Sequence, residues 1–302
     1  MTGQRQRLLF VFLDGVGLGD QSADNPFATT GTPELRKLLG SSLDSSLTSR
    51  SADGLLVTKL DARLGVSGLP QSATGQATLL TGRNAAQHMG RHYGPWPGPT
   101  LHRLLSEGNL FSEVVQSGRQ AGIANLYPPP YFDALERKKS RVNVPVHAAL
   151  QAGLTLRELA DYDLGNAISA DLTGSFLRRF APGSRTVTPA EAGRQLRSLA
   201  LQQDFTFFDF WMSDHIGHRG SMAEAEELVG NLDRFLSAVL EPHDDGLTVL
   251  VTSDHGNLED KSLRTHTLNP VPMLASGASA GEFRTAADLT DVAPAIRRVL
   301  GL

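Results

Sequence analysis

Leu247-Thr248-Val249-Leu250-Val251-Thr252-Ser253-Asp254-His255-Gly256-Asn257 contains the pattern on which the fold turns. The run Leu247–Thr252 is apolar almost without interruption, and its length suits a strand rather than a helix. A strand that is apolar on successive residues is buried on both faces, which is the condition of a sheet sandwiched between helices. The run stops at two groups able to ligate a metal or move a proton, Asp254 and His255, and Gly256-Asn257 supplies a turn after them.

Working outward, the same grammar recurs. Leu8–Leu13 ends in Asp14-Gly15, and Phe205–Met212 is followed by Asp214 and His218. Leu55–Leu60, Gly122–Tyr127 and Val271–Ala275 read as further buried strands. Helical patterns lie between them at Ala73–Leu80, Leu101–Ser106, Leu110–Gln116, Ala190–Leu201, Glu224–Leu240 and Ala287–Leu300. Thr188-Pro189 gives the fourth a capping residue and a first-turn proline. Strands alternating with helices predict an α/β fold: a mostly parallel sheet with helices on both faces. The stretch 128–183 breaks the alternation. It carries Pro128-Pro129-Pro130 and a basic cluster of Arg137, Lys138, Lys139 and Arg141. It reads as a small inserted cap, with 1–127 and 184–302 forming the catalytic core.

Composition sets the outer bounds. The chain has 302 residues, 40% hydrophobic and 20% charged, with a formal net charge of −4. That balance favours neither nucleic acid nor an anionic membrane as partner. There is no cysteine, so disulfides, thiolate metal sites and cysteine nucleophiles are excluded. The apolar run near the N-terminus is too short for a secretory signal, and no stretch reaches the length of a membrane span. The expected location is cytoplasmic.

Strands of an open parallel sheet end at a common edge, where sites form. Asp14, Asp214, His218, Asp254 and His255 follow three separate strands, and His266 precedes a fourth. Three aspartates and three histidines exceed the needs of one ion and suffice for two. Asp214 and His218 are four residues apart, so a helical turn puts them on one face. An aspartate after a strand is commonly only a cap or turn residue, and a single histidine is commonly structural. Those plain readings weaken together, because all these residues fall at the ends of strands of one sheet. Ser72 precedes a helical run. A serine there is ordinarily an N-cap, yet the same position lets backbone N–H groups hold an anion such as phosphate.

In these segments the chain resembles the metal-dependent branch of the alkaline phosphatase superfamily, and within it cofactor-independent phosphoglycerate mutase and phosphopentomutase. Phe12-Leu13-Asp14-Gly15-Val16-Gly17 looks like the opening Asp-Gly motif. Ser72-Ala73-Thr74-Gly75, ending at Gly82, has the spacing of the nucleophile helix. Asp214-His215-Ile216-Gly217-His218 is similar to Asp-x-x-Gly-His, and Ser253–Asn257 with His266–Pro272 matches the last two metal motifs. The resemblance covers roughly residues 7–98 and 200–302 and is not evident across the cap.

The resemblance implies two divalent ions, manganese by preference and zinc as the alternative. One would be held by Asp14, Ser72, Asp254 and His255, the other by Asp214, His218 and His266. It implies Ser72 as nucleophile, a phosphoserine intermediate and a small phosphorylated metabolite as substrate, handled by a phosphatase or a phosphomutase. Gln76, Arg83, Arg91 and His92 are candidate substrate contacts. Lys138, Lys139 and Arg141 are candidates to hold a second anionic group. Two departures stand out. Gln76 occupies the position of a histidine in phosphoglycerate mutase, and that enzyme's inserted domain is far longer. A non-catalytic metal-binding relative, or a hydrolase of phosphodiesters, phosphonates or sulfate esters, remains the alternative. Sulfatase motifs want proline and arginine where Thr74 and Gln76 stand. A dinucleotide fold is disfavoured, because Gly15-Val16-Gly17-Leu18-Gly19 meets Asp20 where a third glycine is required.

Overall fold

The computed structural model describes residues 6–137, 141–243 and 245–302. Among them seven strands form one sheet: β1 (Arg7–Leu13), β2 (Arg50–Ala52), β3 (Leu55–Leu60), β4 (Ala121–Ile123), β5 (Phe205–Phe210), β6 (Leu247–Ser253) and β7 (Val271–Ser276), in the order β2-β3-β7-β6-β1-β5-β4. The strand with the longest apolar run of the N-terminal segment, β1, lies inside the sheet between β6 and β5, parallel to both. Its register decides where the chemistry goes. Leu13 stands opposite Phe210 on one side and Ser253 on the other. The residues that follow all three strands therefore emerge side by side at one edge.

Helices cover both faces, as continuous burial of β1, β5, β6 and β7 requires. Side chains of β1 alternate between them. Leu8, Phe10 and Phe12 join Phe205, Phe207 and the helices Ser72–Thr81 and Val292–Leu300. Leu9, Val11 and Leu13 join Phe208, Phe210 and the helices Pro189–Ala200 and Met222–Leu240. Both of the latter helices start with the predicted kind of signal. Thr188 with Glu191, and Ser221 with Glu224, form reciprocal capping boxes. Among the described residues no helix is long and apolar enough to cross a membrane.

The α/β expectation holds, with one difference in strand direction. β7 runs antiparallel to both β6 and β3, and β2 returns antiparallel on β3. A parallel neighbour requires a crossover, usually helical, whereas β6 reaches β7 through a loop without a helix. The β2–β3 hairpin turns on Asp53-Gly54, both at positive φ (53° and 73°). Three predicted elements are shorter than their apolar runs. Only Ala121–Ile123 pairs as β4, and Asn125 and Leu126 bridge instead to Ile168 and Arg157. β5 stops at Phe210, because Met212 opens a helix. The last helix begins at Val292.

Within 128–183, the helix Val144–Gln151 buries Val144, Val146, Ala148 and Ala149 in the same cluster as the helix Ser72–Thr81. Tyr162, Ala167 and Leu177 form a small cluster of their own with Leu126. The segment also packs beyond the helix Val144–Gln151: Leu156 joins that helix's cluster, and Ile168 and Leu172 join the cluster on the opposite face of the sheet. Lys138 and Lys139 lie outside the described residues.

Candidate metal centre

Three strand ends and two further segments deliver the ligating groups. Asp14 follows β1, and Asp254 and His255 follow β6. The helix Met212–Arg219, directly after β5, presents Asp214 and His218 on one face. His266 comes from the β6–β7 loop, and Ser72 is the first residue of the helix Ser72–Thr81. Asp254 and His255 have no exposed surface, and Ser72, His266 and Asp14 are at most 8% exposed.

The polar atoms converge in two groups. In the first, His255 Nε2 lies 3.0 Å from Ser72 Oγ, 3.4 Å from Asp14 Oδ1 and 3.5 Å from Asp254 Oδ2. In the second, His218 Nε2 is 3.1 Å from His266 Nε2 and 3.4 Å from Asp214 Oδ1, which is 3.6 Å from His266 Nε2. Ligands ~2.1 Å from a tetrahedral ion stand ~3.4 Å from one another. Both groups have that spacing. The rings of His255 and His266 stack at 3.7 Å and join the two groups into one site.

Tautomers sharpen the point. His255 Nδ1–H donates to the carbonyl of Gly256, His218 Nδ1–H to that of Arg264 and His266 Nδ1–H to that of Pro70. A carbonyl only accepts, so each Nδ1 holds the ring proton and each Nε2 presents a lone pair. Backbone carbonyls fix metal-binding histidines in the same way. Ser72 Oγ–H can then donate to His255. His218 and His266, however, face each other lone pair to lone pair at 3.1 Å. That contact is repulsive unless a cation lies within reach of both. Asp14 Oδ1, buried and without a hydrogen-bond partner among the described residues, is in the same position.

Electrostatics agree. Burial, together with Asp254 and Asp214 nearby, pushes the Asp14 carboxyl well above the usual carboxylate range. Burial and Asp214 do the same to Asp254. Burial drives His255 down, and burial with His255 alongside drives His266 down to about 4. Clustered carboxylates that resist ionising, beside imidazoles that resist protonation, form a donor set that lacks positive charge. Divalent ions fit it.

A supporting layer holds the ligands in place. Asn257 Nδ2 donates to Asp214 Oδ1 (2.6 Å), and Gly15 N–H donates to Asp254 Oδ1 (3.3 Å). Buried Glu259 accepts from Gly17 N–H, Asn257 N–H, Thr267 Oγ1–H and Asn269 Nδ2–H, tying the β1 loop to the His266 loop. Gly75 sits against Asp254. A Cβ there would come within 2.7 Å of the aspartate's own Cβ, so the helix can approach only with glycine at this turn.

A cavity of about 790 Å³ opens beside Ser72, Asp14, Asp214, His218 and His266. Of the candidate substrate contacts, Gln76 is at the site. Its Nε2 lies 3.3 Å from Asp14 Oδ2 and 3.4 Å from Asp254 Oδ2, so it bridges two of the ligating carboxylates. Arg83, Arg91 and His92 are not among the residues that border the cavity. Arg83 pairs with Glu107 at the surface, Arg91 lies over the Tyr93 ring, and His92 bonds the carbonyl of Val66. The physical reason is helix length. Arg83 follows the C-terminal end of the helix whose N-terminal end carries Ser72, ~15 Å away at 1.5 Å per residue. Arg141 borders the cavity.

Sequence reading missed Asp209, Asn125 and Asn143. Asp209 is the fifth residue of β5, 2% exposed, and also borders the cavity. Asn143 Nδ2 donates to its Oδ2 (2.7 Å), and Asn125 bonds its backbone in both directions. Its Oδ1 is buried without a partner among the described residues. The signal was present as a charge inside an otherwise apolar run.

Comparison with known proteins places this geometry. A family model described as the metalloenzyme superfamily matches residues 6–302. A 2,3-bisphosphoglycerate-independent phosphoglycerate mutase from Wolinella succinogenes is 26% identical over 211 residues, covering 68% of this chain and 37% of that protein. The chain spans between 21% and 37% of the length of the curated mutases it matches. Alkaline phosphatase from the Antarctic bacterium TAB5 has a TM-score of 0.54 at 12% identity, covering 99% of this chain and 98% of the other. Phosphoglycerate mutase from Leishmania mexicana has a TM-score of 0.52 at 13% identity, covering 100% of this chain and 96% of the other. At these identities the structural likenesses speak for the fold.

Proposed function

The chain belongs to the metalloenzyme superfamily, and on that footing we propose that it transfers the phosphoryl group of a phosphate monoester to Ser72 at a site for two divalent cations. Asp14, Asp254, His255 and Ser72 would hold one ion, and Asp214, His218 and His266 the other, with manganese the expected metal and zinc also suited to the donors. When bound, the ions supply the positive charge that lowers the hydroxyl pKa and neutralises phosphate oxygens.

The chain's own groups do the rest. Ser72 Oγ is the one hydroxyl hydrogen-bonded to the imidazole ring of a candidate ligand histidine among the described residues, and it begins a helix. Thr74 N–H is taken by the Tyr93 carbonyl and Gly75 N–H by that of Gln71, while those of Ser72 and Ala73 have no acceptor among the described residues. They are available to a phosphate oxygen. Gln76 holds Asp14 and Asp254 in place from the next turn of the same helix. Attack by Oγ on phosphorus gives phosphoserine and frees the alcohol. Water then takes the phosphoryl group in a phosphatase, or the reoriented alcohol takes it in a mutase.

The observation that carries this reading is the gathering of three imidazole lone pairs and three carboxylates into two adjoining groups, one of which includes the Ser72 hydroxyl. Manganese-loaded protein is expected to act on metabolite phosphates. Following free phosphate and isomer formation together tells phosphatase from mutase. Ser72→Ala should abolish turnover, by at least about 1000-fold, while retaining metal. A fully active Ser72→Ala variant would remove the nucleophile from the scheme. Metal binding without turnover of any ester in the wild type would favour the non-catalytic relative.

A further inference from the structure

The walls of the cavity beyond the metal ligands are not those of a site for a small polyanion. Three of the large hydrophobic residues left exposed on the molecule border this one cavity: Leu69 (37%), Trp96 (39%) and Phe180 (44%). They come from three segments distant in sequence. Leu69 lies three residues before Ser72, Trp96 in the loop between the helices Ala85–Met89 and Pro99–Ser106, and Phe180 in the segment 128–183. Phe176 and Tyr131 border the cavity as well. The Phe176 and Phe180 rings meet edge to face at 5.6 Å, and Tyr131 is tilted on Tyr127 at 4.8 Å. Exposed large apolar residues scattered singly need no explanation, but gathered around one concavity they mark a ligand. Aromatic side chains as walls favour a flat or ring-shaped body, which they meet by stacking or edge contact.

Size points the same way. A cavity of about 790 Å³ lies in the range that encloses drug-sized ligands and exceeds what a three-carbon phosphorylated acid fills. Arg141, Arg219 and Arg264 also border the cavity, but all three are exposed. None is a buried cation built to hold a second anionic group.

Resting on the reading of Ser72 and its ligands as a phosphoryl-transfer site, we infer that the cavity is a leaving-group subsite, and that the substrate is a phosphate monoester of an alcohol with an apolar, ring-bearing body. The phosphate faces Ser72 and the ring lies among Leu69, Trp96, Phe176 and Phe180. Only binding is asked of these residues. Their contribution falls on the preference between alcohols and not on the bond-breaking step.

The test compares 2-phenylethyl phosphate with ethyl phosphate on the manganese-loaded full chain. The two alkoxides are similar leaving groups, so a difference in kcat/KM reads the subsite alone. We expect a preference of at least about tenfold for the phenyl ester. Trp96→Ala and Phe180→Ala should each reduce that ratio several-fold. A ratio near one, a ratio unmoved by both variants, or a stronger preference for 3-phosphoglycerate would overturn the subsite while leaving the reaction intact.

A second readout does not need turnover. The chain has two tryptophans, Trp96 and Trp211, and both border the cavity. Their fluorescence should respond to 3-phenylpropylphosphonate, a non-transferable analogue, at concentrations about tenfold below those needed for propylphosphonate. Selective binding with no turnover of either ester would sustain the subsite and remove the proposed reaction. Equal binding of the two phosphonates would remove the subsite.

Discussion

Asp254 and His255 have no exposed surface, whereas Trp96 and Phe180, bordering the neighbouring cavity, are 39% and 44% exposed. The candidate ligands stand at the ends of strands whose register is fixed by backbone pairing, or on the helices and the loop that adjoin those ends, and the aspartates and histidines are held by second groups such as Gln76, Asn257 or a backbone carbonyl. The aromatic walls stand on loops and a short helical turn and are held mainly by one another. A shell that must keep donor atoms within a few tenths of an ångström needs the stiffest part of the fold. A wall that chooses among alcohols needs only shape and apolar area. On this division chemistry belongs to the sheet edge and selectivity to the loops.

The division breaks first at Asp254. Asp254→Asn keeps the size of the side chain and its contact with Gly75 but removes a charge. We expect the loss of one ion per chain and a fall in kcat/KM of at least about 100-fold, beyond what changes behind a metal ligand cost. Elemental analysis beside kinetics checks both. Two ions retained per chain would show that Asp254 is not a ligand. Substitutions at Trp96 or Phe180, by contrast, should leave metal content unchanged.

Removing the ions tests the electrostatic half. In the free chain Asp14 and Asp254 have folded pKa values raised by burial and by neighbouring carboxylates. A raised carboxyl pKa means that the folded state keeps protons which the unfolded state has lost, from about pH 4 upward. Stability therefore falls as pH rises through that window. Burial holds His255 and His266 down and acts in the opposite sense below about pH 6.5, so the carboxylate slope is read as a difference: in chelated protein Asp254→Asn should gain in melting temperature on the wild type as pH rises from 5 to 8. Manganese-loaded protein should lose that slope, because the ions stabilise the carboxylates. A difference that does not change with pH in chelated protein would count against a charged cluster at the sheet edge.

The two regions also differed in how far the sequence disclosed them. An apolar run that halts at Asp or His, as at Leu13-Asp14 and Thr252–His255, states in one dimension both the strand and the edge where it ends. The candidate ligands could thus be proposed before the fold. β7 was legible as a strand but not in direction, because direction follows from the absence of a crossover helix before it. Arg83 misled, because nearness in sequence along a helix is distance in space. The walls were silent for a related reason. Leu69, Trp96 and Phe180 are brought together by loops, and no period or spacing connects them. Asp209 was hidden differently, as a charge within a run read only for its hydrophobicity.

Asp209 lies where the two regions meet, on a core strand yet bordering the cavity, and it carries the smallest effect. Burial pushes its carboxyl up to about 7 against the single donor Asn143, with Asp254 also raising it. Asn143 has no freedom to turn, since its Oδ1 caps the helix Val144–Gln151 by accepting from Val146 N–H. In Asp209→Asn the new amide must therefore point its oxygen at Asn143 Nδ2, placing NH2 where the unpartnered Oδ1 stood. The variant cannot ionise. Below about pH 4 wild type and variant both carry neutral groups there. Between about 4 and 7 the wild-type fold retains a proton at Asp209 that its unfolded chain gives up, so only the wild type loses stability from this position as pH rises. In chelated protein Asp209→Asn should match the wild type near pH 4 and exceed it by about 1–3 kcal/mol at pH 8. In metal-loaded protein the gap should narrow, because nearby cations favour the carboxylate. Denaturant unfolding across pH reads the gap directly. A gap that does not change with pH would mean that Asp209 is hydrated in solution, and the boundary between sheet edge and cavity would then lie deeper than the strand.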